Sequence, residues 1–301
     1  MAQLSYSSCV FLFSEAKILW HLLKGNLDAA FLPFPIFTAA SLLHKGAQRQ
    51  DAIVRLAYSL INAFFFQYVF DLVNQIAHPG NRLEDEINKP DRPLATNSMT
   101  PQSARTRYYI ALVAWLCYSY ALGIMAWTLL WLAIIFASWK YSVSLSDFGP
   151  AKDLSNSLGL IAQLMSAWHI GGADPSVRWH WVKILALWMY PTIGIQDLRD
   201  VPGDLAVGRR TTVILLGDIP ARIYHSVGLV VFEHIFIFQW MLRCRYDAST
   251  FAVSAAVAAL TAGIIFRLFA WRTIESDRKT YRYYMILYQL NLVAVGVCVR
   301  K

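Results

Sequence analysis

Two acidic clusters, far apart in the sequence, hold the side chains best suited to chemistry. The second reads Asp197-Leu-Arg-Asp200-Val-Pro-Gly-Asp204-Leu-Ala-Val-Gly-Arg209-Arg210-Thr211. Its aspartates stand at i, i+3 and i+7, which is one face of a helix, although Pro202-Gly203 is expected to end that helix between them. Three converging carboxylates repel one another unless a divalent cation compensates. Oxygen-rich sites suit Mg²⁺, which keeps several waters and shares phosphate ligands with a substrate. Arg209 and Arg210 then supply donors of matching sign for phosphate. A solvated loop would explain the acids alone, but not their tight alternation with paired arginines.

The first cluster opens with Asp71-Leu-Val-Asn74-Gln75 and resumes at Glu84-Asp85-Glu86-Ile-Asn88-Lys89-Pro90-Asp91-Arg92-Pro93. Asp71 and Asn74 lie one turn apart at the end of a long apolar stretch. A carboxylate so close to membrane depth is expensive, and is a functional candidate by default. Glu84 and Asp85 are further candidate metal ligands, while Lys89 and Arg92 offer phosphate contacts. Pro90 and Pro93 are expected to stiffen the loop and stop a helix from running through it. An acidic surface turn is the bland alternative for this cluster taken by itself.

The elements that position these residues follow from composition. The chain has 301 residues, 57% hydrophobic and only 15% charged, with a mean hydropathy of +0.41. A soluble domain usually carries about 25% charged residues, and lipid contact explains the deficit. Apolar stretches near 26–44, 53–75, 107–123, 124–142, 155–172, 180–197, 220–242, 250–271 and 281–299 give an all-α, polytopic membrane bundle of about nine transmembrane helices. Gly123 is the expected turn between the third and fourth, and a short amphipathic helix near 14–24 is expected at the surface. The chain reads as a single integral-membrane domain, 1–301. Residues 1–25 form an N-terminal cytoplasmic or interfacial segment, and 76–106 and 198–219 are cytoplasmic loops carrying the acidic motifs.

With a cytoplasmic N-terminus, about two thirds of the 27 Lys and Arg residues fall on the cytoplasmic side, as the positive-inside rule requires. Both acidic clusters follow an even-numbered span and so emerge on that same face, a polar pocket roofing an apolar one. The net charge of +8 comes without a basic run or an aromatic RNA-binding motif, so nucleic acid is not expected as a partner. No obligate protein partner is evident either. Cys9, Cys117, Cys244 and Cys298 are isolated, with no CxxC spacing, and read as reduced thiols. The N-terminal apolar run, Cys9 to Phe13, is too short for a signal-peptide core.

The chain resembles the UbiA superfamily of intramembrane prenyltransferases. The resemblance covers most of the chain and rests on Asn74, the run from Asn88 to Pro93, and the stretch from Asp197 to Thr211. It implies a nine-helix bundle in which Asn74, Asp85, Asp197, Asp200 and Asp204 hold Mg²⁺, while Arg92, Lys152, Arg209 and Arg210 hold diphosphate. The first motif departs from the family's pattern: Gln75 stands where an Asp is usual, and the acids are displaced beyond His78-Pro79-Gly80. Glu84, Asp85 and Asp71 therefore compete for the ligand positions. Leu145 stands where a Lys often follows the Tyr matched by Tyr141, leaving Lys152 or Lys140 to substitute. The Asn-Gln opening followed by Glu-Asp is similar to the fungal UbiA-type terpene cyclases, which ionise farnesyl diphosphate and close it on itself.

That likeness implies a Mg²⁺-dependent terpene cyclase acting on a C15 diphosphate, with Asp85, Asp197, Asp200 and Asp204 carrying the chemistry. The alternatives are a prenyltransferase handing the same cation to an aromatic or other acceptor, and a transporter or structural bundle. An allylic cation needs a dry cavity and aromatic faces, and cation–π attraction reaches roughly 2 kcal/mol when desolvated. Phe64, Phe65, Phe66, Tyr68, Tyr141, Trp168, Trp188 and Tyr190 are candidates, ordinary packing being the alternative for each. His169 and Tyr141 are possible proton acceptors. The expected setting is a multi-pass membrane protein, in the endoplasmic reticulum membrane if the cell is eukaryotic, with the active site facing the cytoplasm.

Overall fold

Each of the nine apolar stretches falls on a helix in the computed structural model, which describes residues 2–77, 79–140 and 147–300, leaving aside the side chains of 2–11, 79, 139 and 140. Helix α1 spans Ala2–Leu23, longer than the surface helix expected at 14–24. A π-helical turn, Leu27–Phe31, leads into α2, Pro33–Lys45. The chain continues through α3 (Arg49–Ile76), α4 (Pro79–Asn88), α5 (Pro101–Ala121), α6 (Met125–Lys140), α7 (Gly149–Gly171) and α8 (Pro175–Thr192). A 3₁₀ segment, Ile193–Arg199, precedes the short helices α9 (Val201–Ala206) and α10 (Thr212–Leu216). Helix α11 (Asp218–His234) runs through a second π-helical segment, Ile235–Met241, to α12 (Leu242–Cys244), and α13 (Ala248–Ala270) and α14 (Ile274–Val299) complete the bundle. Gly123, at φ 70°, makes the turn between α5 and α6, a left-handed conformation that glycine adopts without strain.

Among the described residues, five segments are long and apolar enough to cross a membrane: Leu27–Lys45, Arg49–Ile76, Asp218–Cys244, Ala248–Ala270 and Ile274–Val299. The apolar core is continuous through the bundle, with α7 packed between α2, α6 and α8, and α14 against α2 and α13. Alternate helices run in opposite directions, so the end of α3 and the starts of α7, α11 and α14 gather at one pole. Helices α4, α9 and α10 lie at that pole.

The two polar connections are thus partly helical. Pro202 was expected to end a helix and instead begins one. Proline is tolerated in a first turn, where its missing N–H has no partner to lose and its φ is already helical. Pro79 begins α4 in the same way. Arg222 ties the pole together. It is 2% exposed, pairs in bidentate fashion with Asp277 (2.8 and 2.7 Å), and donates to the Leu268 carbonyl at 2.8 Å.

Candidate diphosphate and metal site

Asn88, the last residue of α4, stitches the two acidic clusters together. Its Nδ2 donates to the Asp200 carbonyl at 2.9 Å and its Oδ1 accepts from the Gly203 N–H at 3.2 Å. A Cβ on Gly203 would collide with that amide, so glycine permits the close approach. A second join sits at the start of α7, where Arg210 N donates to the Asp147 carbonyl at 2.7 Å and Gly149 N to the Arg210 carbonyl at 2.8 Å. These main-chain contacts place the α7 N-terminus beside the second acidic motif.

Arg209 spans the clusters with its side chain. It donates to Glu84 at 2.6 Å, to Asp204 at 3.1 Å and to the Asn81 side-chain Oδ1 at 2.8 Å. Lys89 also lies on Glu84, at 3.4 Å. Arg92 donates to both oxygens of Asp85 at 3.0 Å and lies 3.9 Å from Asp71. Lys152 donates to Asp197 at 2.6 Å. Asp71 is fully buried and further held by Asn26 at 2.6 Å and Gln67 at 3.2 Å. Asn74 lines the cavity, and its carbonyl accepts from Asn81 at 2.6 Å.

Electrostatics separate these acids. Burial works to raise the Glu84 carboxyl, but Lys89, Arg209 and Lys152 together hold it well below its ordinary value. Asp200 is likewise lowered, Lys89, Arg199 and Lys152 outweighing its burial. Asp85 and Asp204 are raised, because desolvation outweighs their basic neighbours.

The fit to a divalent cation rests on oxygen atoms left over. Asp197 Oδ2 and Asp204 Oδ2 are buried with no hydrogen-bond partner, each on a carboxylate whose other oxygen meets a cation. Hard, unpartnered carboxylate oxygens beside four basic side chains suit Mg²⁺ with a phosphate ligand. Among the described residues no three acidic, His or Cys side chains form a ready-made metal cluster. Lysine and arginine lie among the acids and provide the compensation that the sequence reading assigned to a metal alone.

Beneath this polar end opens a cavity of about 220 Å³. Glu84, Lys89, Arg92, Lys152, Asp200 and Arg209 line its mouth, and Phe66, Phe70, Trp131, Leu160, Met189 and Met285 its walls. Phe66 and Trp131 stack at 4.7 Å with an interplanar angle of 6°. Gly159 makes room for this, since a Cβ there would lie 2.5 Å from the Trp131 ring. Arg199 stands 3.9 Å above the Tyr281 ring at the rim.

Several expected residues lie elsewhere. Arg210 is exposed and outside the lining. Trp168 is fully buried at the opposite pole, against Phe37, sixteen residues or ~24 Å along α7 from Lys152. Tyr190 is 38% exposed on the bundle's outer face. Phe65 and Tyr68 pack against Phe64, and Trp188 lies behind the lining, stacked on Tyr284 and Tyr288. Tyr141, Leu145 and the Lys140 side chain lie outside the described residues. Helical spacing would have found the true lining: Phe66, Phe70 and Asn74 are four apart on α3, and Lys152, Asn156, Gly159 and Gln163 share one stripe of α7.

This all-α bundle, with a basic and acidic mouth over an apolar chamber, belongs to the UbiA prenyltransferase family, whose model matches residues 32–290. The chain is 27% identical to the somaliensene A/B synthase of Streptomyces somaliensis, over 93% of this chain and 92% of that one. Two proteins of Hericium erinaceus are also similar. Diterpene cyclase eriG is 30% identical over 75% of this chain and 70% of its own; polyprenyl transferase eriF is 29% identical over 69% and 71%. A UbiA homologue from Archaeoglobus fulgidus, solved with DMAPP and Mg²⁺, shares the fold, with a TM-score of 0.63 at 17% identity over 93% of this chain and 98% of that one. The chain is therefore a multi-pass membrane protein of a family that contains terpene cyclases and prenyltransferases.

Proposed function

We propose that the protein is a Mg²⁺-dependent terpene cyclase that ionises a prenyl diphosphate at the polar mouth and closes the hydrocarbon on itself in the chamber. The observation that carries this is the meeting of both acidic clusters, bridged by Arg209, directly above an aromatic-walled cavity. The near full-length match to a terpene synthase supports cyclisation over transfer. Farnesyl diphosphate is the favoured substrate from the sequence. The relative named as a diterpene cyclase supports the C20 diphosphate as a second.

On this reading Asp197, Asp200 and Asp204, with Asp85, Glu84 and Asn74 from the first cluster, hold the metal, and Asp71 supports Arg92 from behind. Bound there, Mg²⁺ supplies Lewis-acid neutralisation of the leaving diphosphate. Lys89, Arg92, Lys152 and Arg209 exchange their carboxylate partners for diphosphate oxygens and stabilise the charge that develops on them as the allylic C–O bond breaks. Phe66, Phe70 and Trp131 exclude water and present ring faces to the cation. In this account the protein is one integral-membrane domain with its N-terminal segment at the interface. The connections at 76–106 and 198–219 face the cytoplasm, from the endoplasmic reticulum membrane in a eukaryotic cell.

The test incubates membranes containing the protein with C10, C15 and C20 diphosphates and Mg²⁺, without acceptor, and analyses the volatile products. Release of a cyclic hydrocarbon or alcohol with diphosphate is expected. Consumption of diphosphate only when an aromatic acceptor is added would replace the cyclase with a transferase.

A further inference from the structure

The chamber has a polar feature at its inner end that ionisation does not use. Pro33 has no N–H to offer the Ala29 carbonyl four residues before it, and the π-helical turn leaves both Ala29 and Ala30 with oxygens facing the bundle. Gln163 fills the gap: its Nε2 donates to Ala30 O at 2.9 Å and to Ala29 O at 3.3 Å. Both amide hydrogens are then engaged, so Gln163 Oε1 is left to accept, and Tyr288 donates its hydroxyl to it at 3.0 Å. With that hydrogen committed, the Tyr288 oxygen is an acceptor only. Both residues line the cavity, Gln163 is 4% exposed and Tyr288 fully buried, and Trp188 stacks on the Tyr288 ring at 6.0 Å.

The pair lies well below the mouth. Gln163 is eleven residues past Lys152 on α7, ~16 Å along the axis, and Tyr288 is two turns beyond Tyr281 on α14. Phe66, Trp131, Leu160, Met189 and Met285 give the chamber largely apolar walls. A neutral prenyl chain gains little from an oxygen held there. A carbocation passing it is attracted strongly, because charge and dipole meet without intervening water. An interaction that strengthens only as charge develops accelerates and directs a reaction without tightening substrate binding.

We propose that the Gln163–Tyr288 pair is a specificity-determining element, the Tyr288 oxygen fixing where positive charge comes to rest on the cyclising chain. The proposal rests on the cyclase reading and is tested beside it. Parent, Tyr288→Phe, Gln163→Leu and the double variant are compared in lipid nanodiscs with C15 and C20 diphosphates and Mg²⁺. Diphosphate release, product ratios and binding of an unreactive thiolo-diphosphate analogue are measured together. Tyr288→Phe, which keeps the ring, is expected to lower kcat roughly tenfold, the scale of one polar contact. It should leave KM and analogue binding unchanged and shift the product ratios. Gln163→Leu should shift them the same way, and the double variant should add little, as for groups acting as one unit. Parent kcat and parent ratios in Tyr288→Phe would overturn the proposal, and so would loss of analogue binding, which marks a structural role. If the parent reacts only with an acceptor, the cyclase reading fails. In that reaction a lower kcat at unchanged KM in Tyr288→Phe would keep the pair, and parent kcat would remove it.

Discussion

At the scale of single residues, the polar mouth is a set of interchangeable partners. Lys89, Arg92, Lys152 and Arg209 each satisfy a carboxylate, while Asp197 and Asp204 each keep one oxygen without a partner. Asp204→Asn or Asp197→Asn leaves the shape intact but removes one charged oxygen. Either should lower Mg²⁺-dependent diphosphate release by about 100-fold or more, the scale of losing one preorganised electrostatic contact, as a steady-state assay would show. Arg209→Lys should also be severely impaired, because one ammonium cannot reproduce a planar fork that reaches Glu84, Asp204 and Asn81 at once. Arg210→Ala is expected to change kcat/KM by no more than about twofold, in line with an exposed surface site. The residue types and spacings in the second motif made the aspartates and Arg209 legible in the sequence. The difference between Arg209 and Arg210 was not, because neighbours along a chain point in different directions and only the fold says which faces inward. Of the described candidate aromatics Phe66 lines the chamber, and the others lie elsewhere for the same reason. Trp188 packs behind the lining and Tyr190 faces outward, because the lining is set by the face each helix turns toward the cavity.

At the scale of elements, the short helices α4 and α9 hold the clusters in register. Pro79-Gly80 and Pro202-Gly203 carry the residues that usually mark turns, which is why these segments read as loops. In the fold each proline occupies a first helical turn. Asn88 and Gly203 form the contact between them. Gly203→Ala adds a methyl where the Asn88 amide already sits, and overpacking of this kind typically destabilises by ~1–3 kcal/mol. The expected result is a lower melting temperature in detergent together with weaker Mg²⁺-dependent substrate binding. Gly159→Ala, by contrast, should displace Trp131 from its stack on Phe66 and change the product mixture more than the melting temperature.

At the scale of the whole molecule, composition and apolar runs made the bundle legible, and each expected stretch lies on a helix. Among the described residues, four of them do not reach the combined length and apolarity that mark the five clear spans. Helix α7 carries Lys152, Asn156 and Gln163 into the cavity, so the residues that make the site also dilute its hydropathy. Three of the clear spans are joined at the polar pole by buried Arg222, through Asp277 and the Leu268 carbonyl. Asp277→Ala would remove the bidentate partner of a buried guanidinium, leaving Arg222 with Asp218 at 2.6 Å and the Leu268 carbonyl, and should cost about 1–3 kcal/mol, seen as a fall in the unfolding midpoint. Cysteines introduced at Ser98 and Leu216, both exposed near the polar pole, should react with an impermeant thiol reagent from one side of sealed vesicles. One at Tyr246, exposed between α12 and α13, should react from the other.

A single binding site built jointly by both clusters is most directly tested by titrating an unreactive prenyl thiolo-diphosphate into purified protein with and without Mg²⁺. The measurement compares the parent with Asp85→Asn from the first cluster and Asp204→Asn from the second. Binding that needs Mg²⁺ in the parent and is lost in both variants is the expected result. Binding indifferent to Mg²⁺, or full Mg²⁺-dependent affinity in either variant, would contradict it.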